Sequence, residues 1–256
     1  MCRCAYWSDT VFMETPRTVL EKHIVLTDFD CDLNRRVTPG SLLRHVQQIG
    51  TDHCDSWGVT AARYDATGTA FLLAKLSLHI TGSAFIGDSL RLVTRPSAPR
   101  RAIFFRFTEF FDAQGQSVAS VDARWVLVDR ETRRILRQPP EALGFPAMPE
   151  TVPTHNFSIK RAADMRPAGT AAATFCRCDI NSHLNNTVYA DIVCDALPPE
   201  QMRSRPLAAL TLAYHHELRF GEAMELSLGE LEGGGFAVAG RRSGEAIFEA
   251  NAFFAE

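Results

Sequence analysis

The segment CDINSHLNNTVY, residues 178–189, ends one predicted strand and begins one predicted helix. Alternate side chains of an extended chain point to the same side, so we expect Asp179, Asn181 and His183 to lie together. Asn185 and Asn186 are good helix N-cap residues, and apolar residues then recur at helical spacing until the prolines at 198 and 199. The segment therefore predicts a carboxylate, an amide and an imidazole gathered where a helix covering 186–197 begins.

The start of a helix offers backbone N–H groups without intrahelical partners, at the positive end of the helix dipole. Such groups can stabilise a carbonyl oxygen as negative charge develops on it, and we expect the amides at the start of helix 186–197 to do so. Asn and Asp also form turns, so any one of these residues alone is explained by turn chemistry. Three in alternation, followed by two cap residues, favour a catalytic centre.

The composition excludes several classes of protein. With 256 residues, of which 46% are hydrophobic, the chain can bury the core of one large or two ordinary domains. A formal net charge of -3 argues against a general nucleic-acid binder. No apolar run is long enough to cross a membrane, and the N-terminus lacks the apolar stretch of a secretion signal. Seven scattered cysteines are typical of a reducing compartment, so we expect a cytoplasmic protein with neither metal nor cofactor.

The same order of elements occurs twice along the chain. After an arm at 1–20, a first domain at 21–140 is predicted to hold a strand, an amphipathic helix at 41–57 and four further strands. A proline-rich linker at 141–157 precedes a second domain at 158–256 with the same order. The predicted strands are 23–29, 71–81, 89–95, 102–112 and 117–129, then 170–177, 207–219, 222–230, 234–242 and 245–255. Short connections favour antiparallel pairing, so each half is predicted as a helix wrapped by an antiparallel sheet.

A shift of 147 residues aligns the polar motifs of the two halves. Asp32 then falls on Asp179 and Asn34 on Asn181, but an arginine, Arg36, stands at the position of the second-half histidine. One intact and one degraded copy indicate that the second domain carries the chemistry. The first domain is predicted to supply the fold and the substrate pocket.

The predicted strand 207–219 contains a second candidate acid, Glu217. The strand face that it shares with Thr211, Ala213 and His215 carries small residues, which leaves room for a slim apolar ligand with a carboxylate at its mouth. The other interpretation, that His215, His216 and Glu217 form an exposed strand end, stays open from these residues alone.

The pattern Asp-x-Asn-x-His-x-Asn-Asn-x-x-Tyr at 179–189, with Glu217 34 residues after His183, resembles the acyl-acyl-carrier-protein thioesterases of plants and bacteria. Segments 125–129, 132–134 and 139–141 are similar to the end of that family's first domain. The resemblance covers residues 20–256 and implies an α+β tandem (double) hot-dog fold. It also implies hydrolysis of fatty acyl thioesters carried by acyl carrier protein.

Carried onto this chain, the resemblance implies catalytic roles for Asp179, Asn181, His183 and Glu217. We expect Glu217 and His183 to orient and deprotonate a water molecule, with Asp179 and Asn181 holding them in place. The alternative is a nucleophilic Asp179 or Glu217 that forms an anhydride. Family members often have a cysteine directly after the glutamate, but this chain has Leu218, which disfavours a papain-like mechanism.

The predicted substrate contacts are Asn186 and Tyr189 at the site, and Phe71, Leu73 and Leu76 along an acyl tunnel between helix 41–57 and the first sheet. Acyl carrier protein is acidic, so basic residues should frame the entrance. The candidates are Arg100 with Arg101, Arg133 with Arg134 and Arg137, and Arg161 with Arg166. The sequence leaves a homodimer open.

Two other functions remain open from the sequence. An acyl-CoA thioesterase of the same fold would share every motif, and a non-catalytic acyl-chain or acyl-carrier binding module would bind its ligand without releasing a thiol. A serine hydrolase is disfavoured because the chain lacks G-x-S-x-G. A nucleotide enzyme is disfavoured because the chain lacks a P-loop and G-x-G-x-x-G.

Overall fold

A computed structural model describes residues 18–156 and 158–255. Its strands are β1 (Leu20–Val25), β2 (Thr69–Ile80), β3 (Ser89–Arg100), β4 (Ile103–Phe111), β5 (Ser117–Asp129), β6 (Ile135–Leu136), β7 (Arg166–Ala172), β8 (Leu207–Tyr214), β9 (Ala223–Glu230), β10 (Phe236–Arg242) and β11 (Glu245–Phe254). Its α-helices are α1 (Pro39–Ser56), α2 (Ala61–Thr67), α3 (Val188–Ala196) and α4 (Pro199–Ser204). Most of the predicted N-terminal arm, residues 1–17, lies outside the described residues.

The strands form one antiparallel sheet in the order β1-β3-β4-β5-β2-β8-β11-β10-β9-β7, with β6 paired to β5. The two halves join where β2 pairs with β8, with Leu76 opposite Leu212 and Leu78 opposite Leu210. In each half one long helix follows the first strand of that half, and the remaining strands come after it. The predicted α+β double hot-dog architecture is confirmed.

The core lies between the central helices and the sheet. The periodicity predicted the buried faces of both helices correctly. The buried apolar residues of α1 are Leu42, Leu43, Val46 and Ile49, and those of α3 are Tyr189, Ala190, Ile192 and Val193. Helix α1 begins at Pro39, two residues before the prediction, because the Thr38 side chain accepts the N–H of Ser41 and proline suits the first helical turn.

Three predicted strands end earlier than expected. The first stops at Val25, and the strand predicted at 170–177 stops at Ala172, because short 3-10 turns follow at Asp28–Asp30 and Phe175–Arg177. Strand β8 stops at Tyr214, where the N–H groups of the next two residues both donate to the Ile247 carbonyl and end the regular pairing. Glu217 therefore lies in a loop, and the predicted alternation of faces fails beyond Tyr214.

The described part of the predicted linker contacts the sheet at two points. The N–H of Ala98 donates to the Pro149 carbonyl (2.8 Å). The His155 ring lies 3.0 Å (Nε2) from Ser120 Oγ and 3.1 Å (Nδ1) from the Ser77 carbonyl. Just beyond the linker, the backbone of Lys160 exchanges two hydrogen bonds with the carboxamide of Asn251 (2.6 and 2.9 Å). The connection between the halves is therefore ordered by contacts with both.

The residues predicted to line an acyl tunnel are packed core in this structure. Leu73 and Leu76 are buried in the main core, and a one-residue bulge between Leu73 and Lys75 keeps them on the same face of β2. Phe71 belongs to a separate cluster, edge-on to Phe104 (4.9 Å) and Phe145 (6.0 Å). These side chains are therefore part of the packed core, and their contact with an acyl chain stays a prediction.

None of the helices among the described residues combines the length and hydropathy that a membrane span requires.

Candidate active site

The segment from Cys178 to Leu184 is a closed turn rather than the extended stretch predicted. The Asp179 N–H donates to the His183 carbonyl (2.9 Å), and Ser182 adopts the left-handed conformation (φ 62°) that reverses the chain. The Asp179 carboxylate accepts the N–H of Asn181 (2.8 Å), which is the hydrogen bond of an Asx turn. The predicted alternation is therefore wrong: Asp179 shapes the turn, Asn181 is exposed at its surface, and His183 is half-buried.

Backbone hydrogen bonds pin this turn to the loop that follows β8. The Leu184 N–H donates to the Leu218 carbonyl (2.8 Å), and the Phe220 N–H donates to the Ser182 carbonyl (2.9 Å). His183 therefore lies beside Glu217, although the prediction of a continuous strand to Glu217 was wrong.

The structure brings together two of the four predicted catalytic side chains. His183 Nε2 lies 3.4 Å from Glu217 Oε2, and the two side chains are 22% and 25% exposed. An imidazole and a carboxylate this close can both contact one water molecule that lies beside them, and can move a proton. Partial exposure leaves the pair open to a substrate.

Sequence reasoning missed a third side chain at this position, which is positively charged. Arg133, from the loop between β5 and β6, donates through Nη2 to the same oxygen of Glu217 that faces His183. The sequence indicated only a basic cluster for carrier binding, because this contact joins residues 84 positions apart in different halves of the chain.

The start of α3 differs from the predicted double-asparagine cap. The Asn185 carboxamide oxygen accepts both the N–H and the hydroxyl of Thr187 (2.9 Å each), and its carbonyl accepts the N–H of Val188 (3.0 Å). The Asn186 carbonyl accepts the hydroxyl of Tyr214 (2.9 Å). Asn185 thus forms an Asx turn just before α3, and the N-cap residue of this helix is Thr187 rather than either asparagine. Because the Thr187 and Val188 amides already have acceptors, they are not available as the predicted oxyanion donors.

Tyr189, predicted to contact substrate, lies in the core. It is 2% exposed, and its ring packs edge-on against Tyr214 and Phe248, each at a centroid distance of 5.3 Å. Burial raises the pKa of the Tyr189 phenol well above its ordinary value. Tyr189 is therefore a neutral core side chain that lies close to Glu217 and Leu218.

A groove of about 480 Å³ lies between α1 and the start of α3. Phe29, Gln47 and Gln48 line it from the first half, and Cys178 and Asn185 line it from the second. Its second-half wall includes Cys178, the first residue of the turn that carries His183, and Asn185, which directly follows that turn. The groove therefore borders the start of α3.

Among the described residues, no group of three or more His, Cys, Asp and Glu side chains is arranged to hold a metal ion.

Two sequence profiles of a single family match this chain. The acyl-ACP thioesterase N-terminal domain matches residues 18–144, and the acyl-ACP thioesterase C-terminal domain matches residues 172–253. The chain belongs to the acyl-ACP thioesterase family. This family member is 21% identical over 236 residues to the chloroplastic palmitoyl-acyl carrier protein thioesterase of Cuphea hookeriana. The matched region covers 85% of this chain and 56% of that relative. It spans about half the length of the curated relatives that it matches.

Solved structures of the family share the fold. The crystal structure of an acyl-ACP thioesterase from Bacteroides thetaiotaomicron has a TM-score of 0.84 and 20% identity, covering 95% of this chain and 100% of that one. The 12:0-ACP thioesterase from Umbellularia californica has a TM-score of 0.78 and 15% identity, covering 93% of this chain and 98% of that one. The tandem hot-dog fold is therefore that of the family.

Proposed function

We propose that this chain hydrolyses fatty acyl thioesters of acyl carrier protein, releasing a free fatty acid and the carrier thiol. The observation that carries the proposal is the pair formed by His183 and Glu217, with Nε2 and Oε2 3.4 Å apart in a partly exposed site. Membership of the acyl-ACP thioesterase family supports the choice of substrate.

In the proposed reaction, Glu217 removes a proton from a water molecule that contacts both its carboxylate and His183. The resulting hydroxide attacks the thioester carbonyl carbon, the carbon–sulfur bond then breaks, and the departing thiolate takes a proton through His183. General-base catalysis of this kind typically contributes about 10²–10⁴-fold to the rate. The thiolate is a good leaving group, so no nucleophilic cysteine is required.

We assign supporting roles to the remaining predicted site residues. Asp179 holds the turn by accepting the N–H of Asn181, so both residues keep the His183 backbone in place. Asn186 lies just before α3, where its carbonyl accepts the Tyr214 hydroxyl, and we assign its side chain to substrate contact.

We propose that the carrier protein docks on the segment around β6, through Arg134 before this strand and Arg137 after it. Both residues are exposed, and their neighbour Arg133 touches Glu217. In each of the other two basic clusters one arginine already has a partner, since Arg100 lies over the Phe105 ring (4.5 Å) and Arg161 lies 3.8 Å from Glu249. The cytoplasmic location and the homodimer stay predictions.

Release of free thiol from matched acyl carrier protein and acyl-CoA substrates tests the proposal. We expect a higher kcat/KM with acyl carrier protein, and a KM for it that rises steeply as ionic strength increases from about 0.05 to about 0.5 M, because screening weakens attraction between charged surfaces. A higher kcat/KM with acyl-CoA would make the chain an acyl-CoA thioesterase. Binding of acyl chains with no thiol release from either carrier would make it a binding module.

A further inference from the structure

We propose that Arg133 is a positioning residue of the catalytic centre, supplied by the first half of the chain to the second. This inference rests on the proposed thioesterase function. Arg133 Nη2 donates to Glu217 Oε2, and the same oxygen lies 3.4 Å from His183 Nε2. The carboxylate oxygen of the proposed base is therefore flanked by a guanidinium from one half and an imidazole from the other.

The order of strands in the sheet explains why these residues meet. Strands β5 and β8 both pair antiparallel with β2, so they run parallel to each other on either side of it. Near their carboxyl ends, Asp129 of β5 lies opposite Thr69, and Ala213 of β8 lies opposite Lys75. The loops that follow β5 and β8 therefore leave the sheet at the same edge, one carrying Arg133 and the other Glu217.

The loop that carries Arg133 is pre-organised by its own hydrogen bonds. Both the N–H and the hydroxyl of Thr132 donate to the Asp129 carboxylate (2.7 and 2.8 Å), and the Arg133 N–H donates to the Asp129 carbonyl (2.9 Å). The Asp129 N–H in turn donates to the Arg134 carbonyl (2.9 Å). Arg133 itself adopts the left-handed conformation (φ 59°), which is unfavourable for a residue with a Cβ and is enforced here by the closed loop. The guanidinium therefore has a defined approach to Glu217.

The ion pair is placed to control geometry more than stability. The Arg133 side chain is 51% exposed, and an ion pair open to solvent contributes little to the free energy of unfolding. Its effect on Glu217 is different, because a planar guanidinium holds a carboxylate in one orientation more firmly than a flexible point charge does. We infer that Arg133 keeps Oε2 turned toward His183, where the attacking water must bind.

Steady-state kinetics of thiol release from acyl carrier protein test this role. Arg133→Ala should lower kcat between about ten- and a hundredfold, since misplacing a reacting group by about 1 Å has effects of up to this size. KM should stay within about twofold, because Arg133 acts on the base and not on the carrier. Arg133→Lys should give an intermediate kcat, and added guanidinium ion should restore part of the activity of Arg133→Ala.

Arg130→Ala is the matched control. Arg130 lies in the same loop as Arg133 and also forms a guanidinium–carboxylate pair, but its partner is Asp65 and not Glu217. It should keep the wild-type kcat, and the melting temperatures of both alanine variants should be close to that of the wild type.

Equal kcat values for Arg133→Ala and Arg130→Ala would overturn the assignment. A raised KM with unchanged kcat would also overturn it, because Arg133 would then be a docking residue. If the alanine variant does not fold, Arg133→Lys decides, and a wild-type kcat for that variant rejects the role. A wild-type chain that releases no thiol from acyl carrier protein rejects the proposed function, and the role of Arg133 with it.

Discussion

The two polar turns of this molecule have nearly the same backbone but different chemistry. Each is closed by a bridge between its ends, each has an Asx hydrogen bond, and each has one left-handed residue with φ 62°. The matching positions are Cys31 and Cys178, Asp32 and Asp179, Arg35 and Ser182, and Val37 and Leu184. Even the exposed tips correspond, with Leu33 86% and Ile180 94% exposed. Duplication of the fold has therefore preserved the turn.

The difference lies in the side chains that face each other across the turn and the neighbouring loop. Arg36 bridges to Phe85 in the first half, as His183 bridges to Arg219 in the second. Two residues before these partners the first half has Ser83, whereas the second has Glu217. The first half therefore lacks counterparts of the His183 imidazole and the Glu217 carboxylate. The comparison teaches that a shared backbone does not by itself make this site.

The largest effect is expected from the position where the turns differ. His183→Ala should lower kcat for acyl carrier protein substrates by about 10²–10⁴-fold, because it removes the proton-transfer partner of Glu217. Arg36→Ala, at the matching position of the first turn, should change kcat by less than about threefold, because no predicted reacting group lies there. Thiol-release kinetics on both purified variants measure this contrast.

Equal losses in the two variants would break the comparison, since the first turn would then also take part in the reaction. Circular dichroism of both variants separates a loss of chemistry from a loss of folded protein.

A smaller effect should appear in the stability of the two turns. The Asp32 carboxylate accepts two backbone N–H groups, from Asn34 (2.8 Å) and Arg36 (3.1 Å), whereas Asp179 accepts one. Asp32→Ala should therefore lower the free energy of unfolding by about 1–3 kcal/mol, and Asp179→Ala by about 0.5–1.5 kcal/mol. Urea denaturation measures both, and a larger loss for Asp179→Ala would show that this carboxylate has a further partner in the folded site.

The smallest effect concerns pH and the histidine that anchors the linker on the first half. His155 anchors the linker on the first half, and its pKa is lowered by burial first and then by the neighbouring His79 and Arg124. Burial also lowers the pKa of His79. The Asp122 carboxylate opposes both shifts. A histidine whose pKa is lowered on folding binds protons more readily when unfolded. Its contribution to stability is therefore complete above the ordinary pKa of 6.5 and is lost as the pH falls below that value.

We expect His155→Gln to flatten the fall in stability below that pH. Asn251→Ala, at the anchor on the second half, should lower stability by about 1–3 kcal/mol at every pH, because it leaves the Lys160 backbone without its partner and no titration is involved. Denaturation curves over a pH series check both outcomes. An unchanged slope in His155→Gln would remove the histidine as the source of the pH dependence.

Much of the fold was predictable from local pattern, whereas the site was predictable only in part. The apolar spacing placed α1 and α3 within two residues, and turn residues located every strand except the short β6 but not all of the strand ends. Strand β3, predicted to end at residue 95, continues through Pro96 to Arg100. The polar turn was misread as extended, because alternation alone does not reveal that Ser182 reverses the chain. Glu217 was identified, but for the wrong geometric reason, since β8 ends at Tyr214.

From its sequence alone this protein's helices, strands and repeated polar motif are determined, because helical periodicity, caps and turn residues act over a few neighbouring positions. Only the tertiary structure decides that Arg133, His183 and Glu217 share one site. The physical reason is the antiparallel pairing of β2 with both β5 and β8, which brings loops from different halves of the chain to one edge of the sheet.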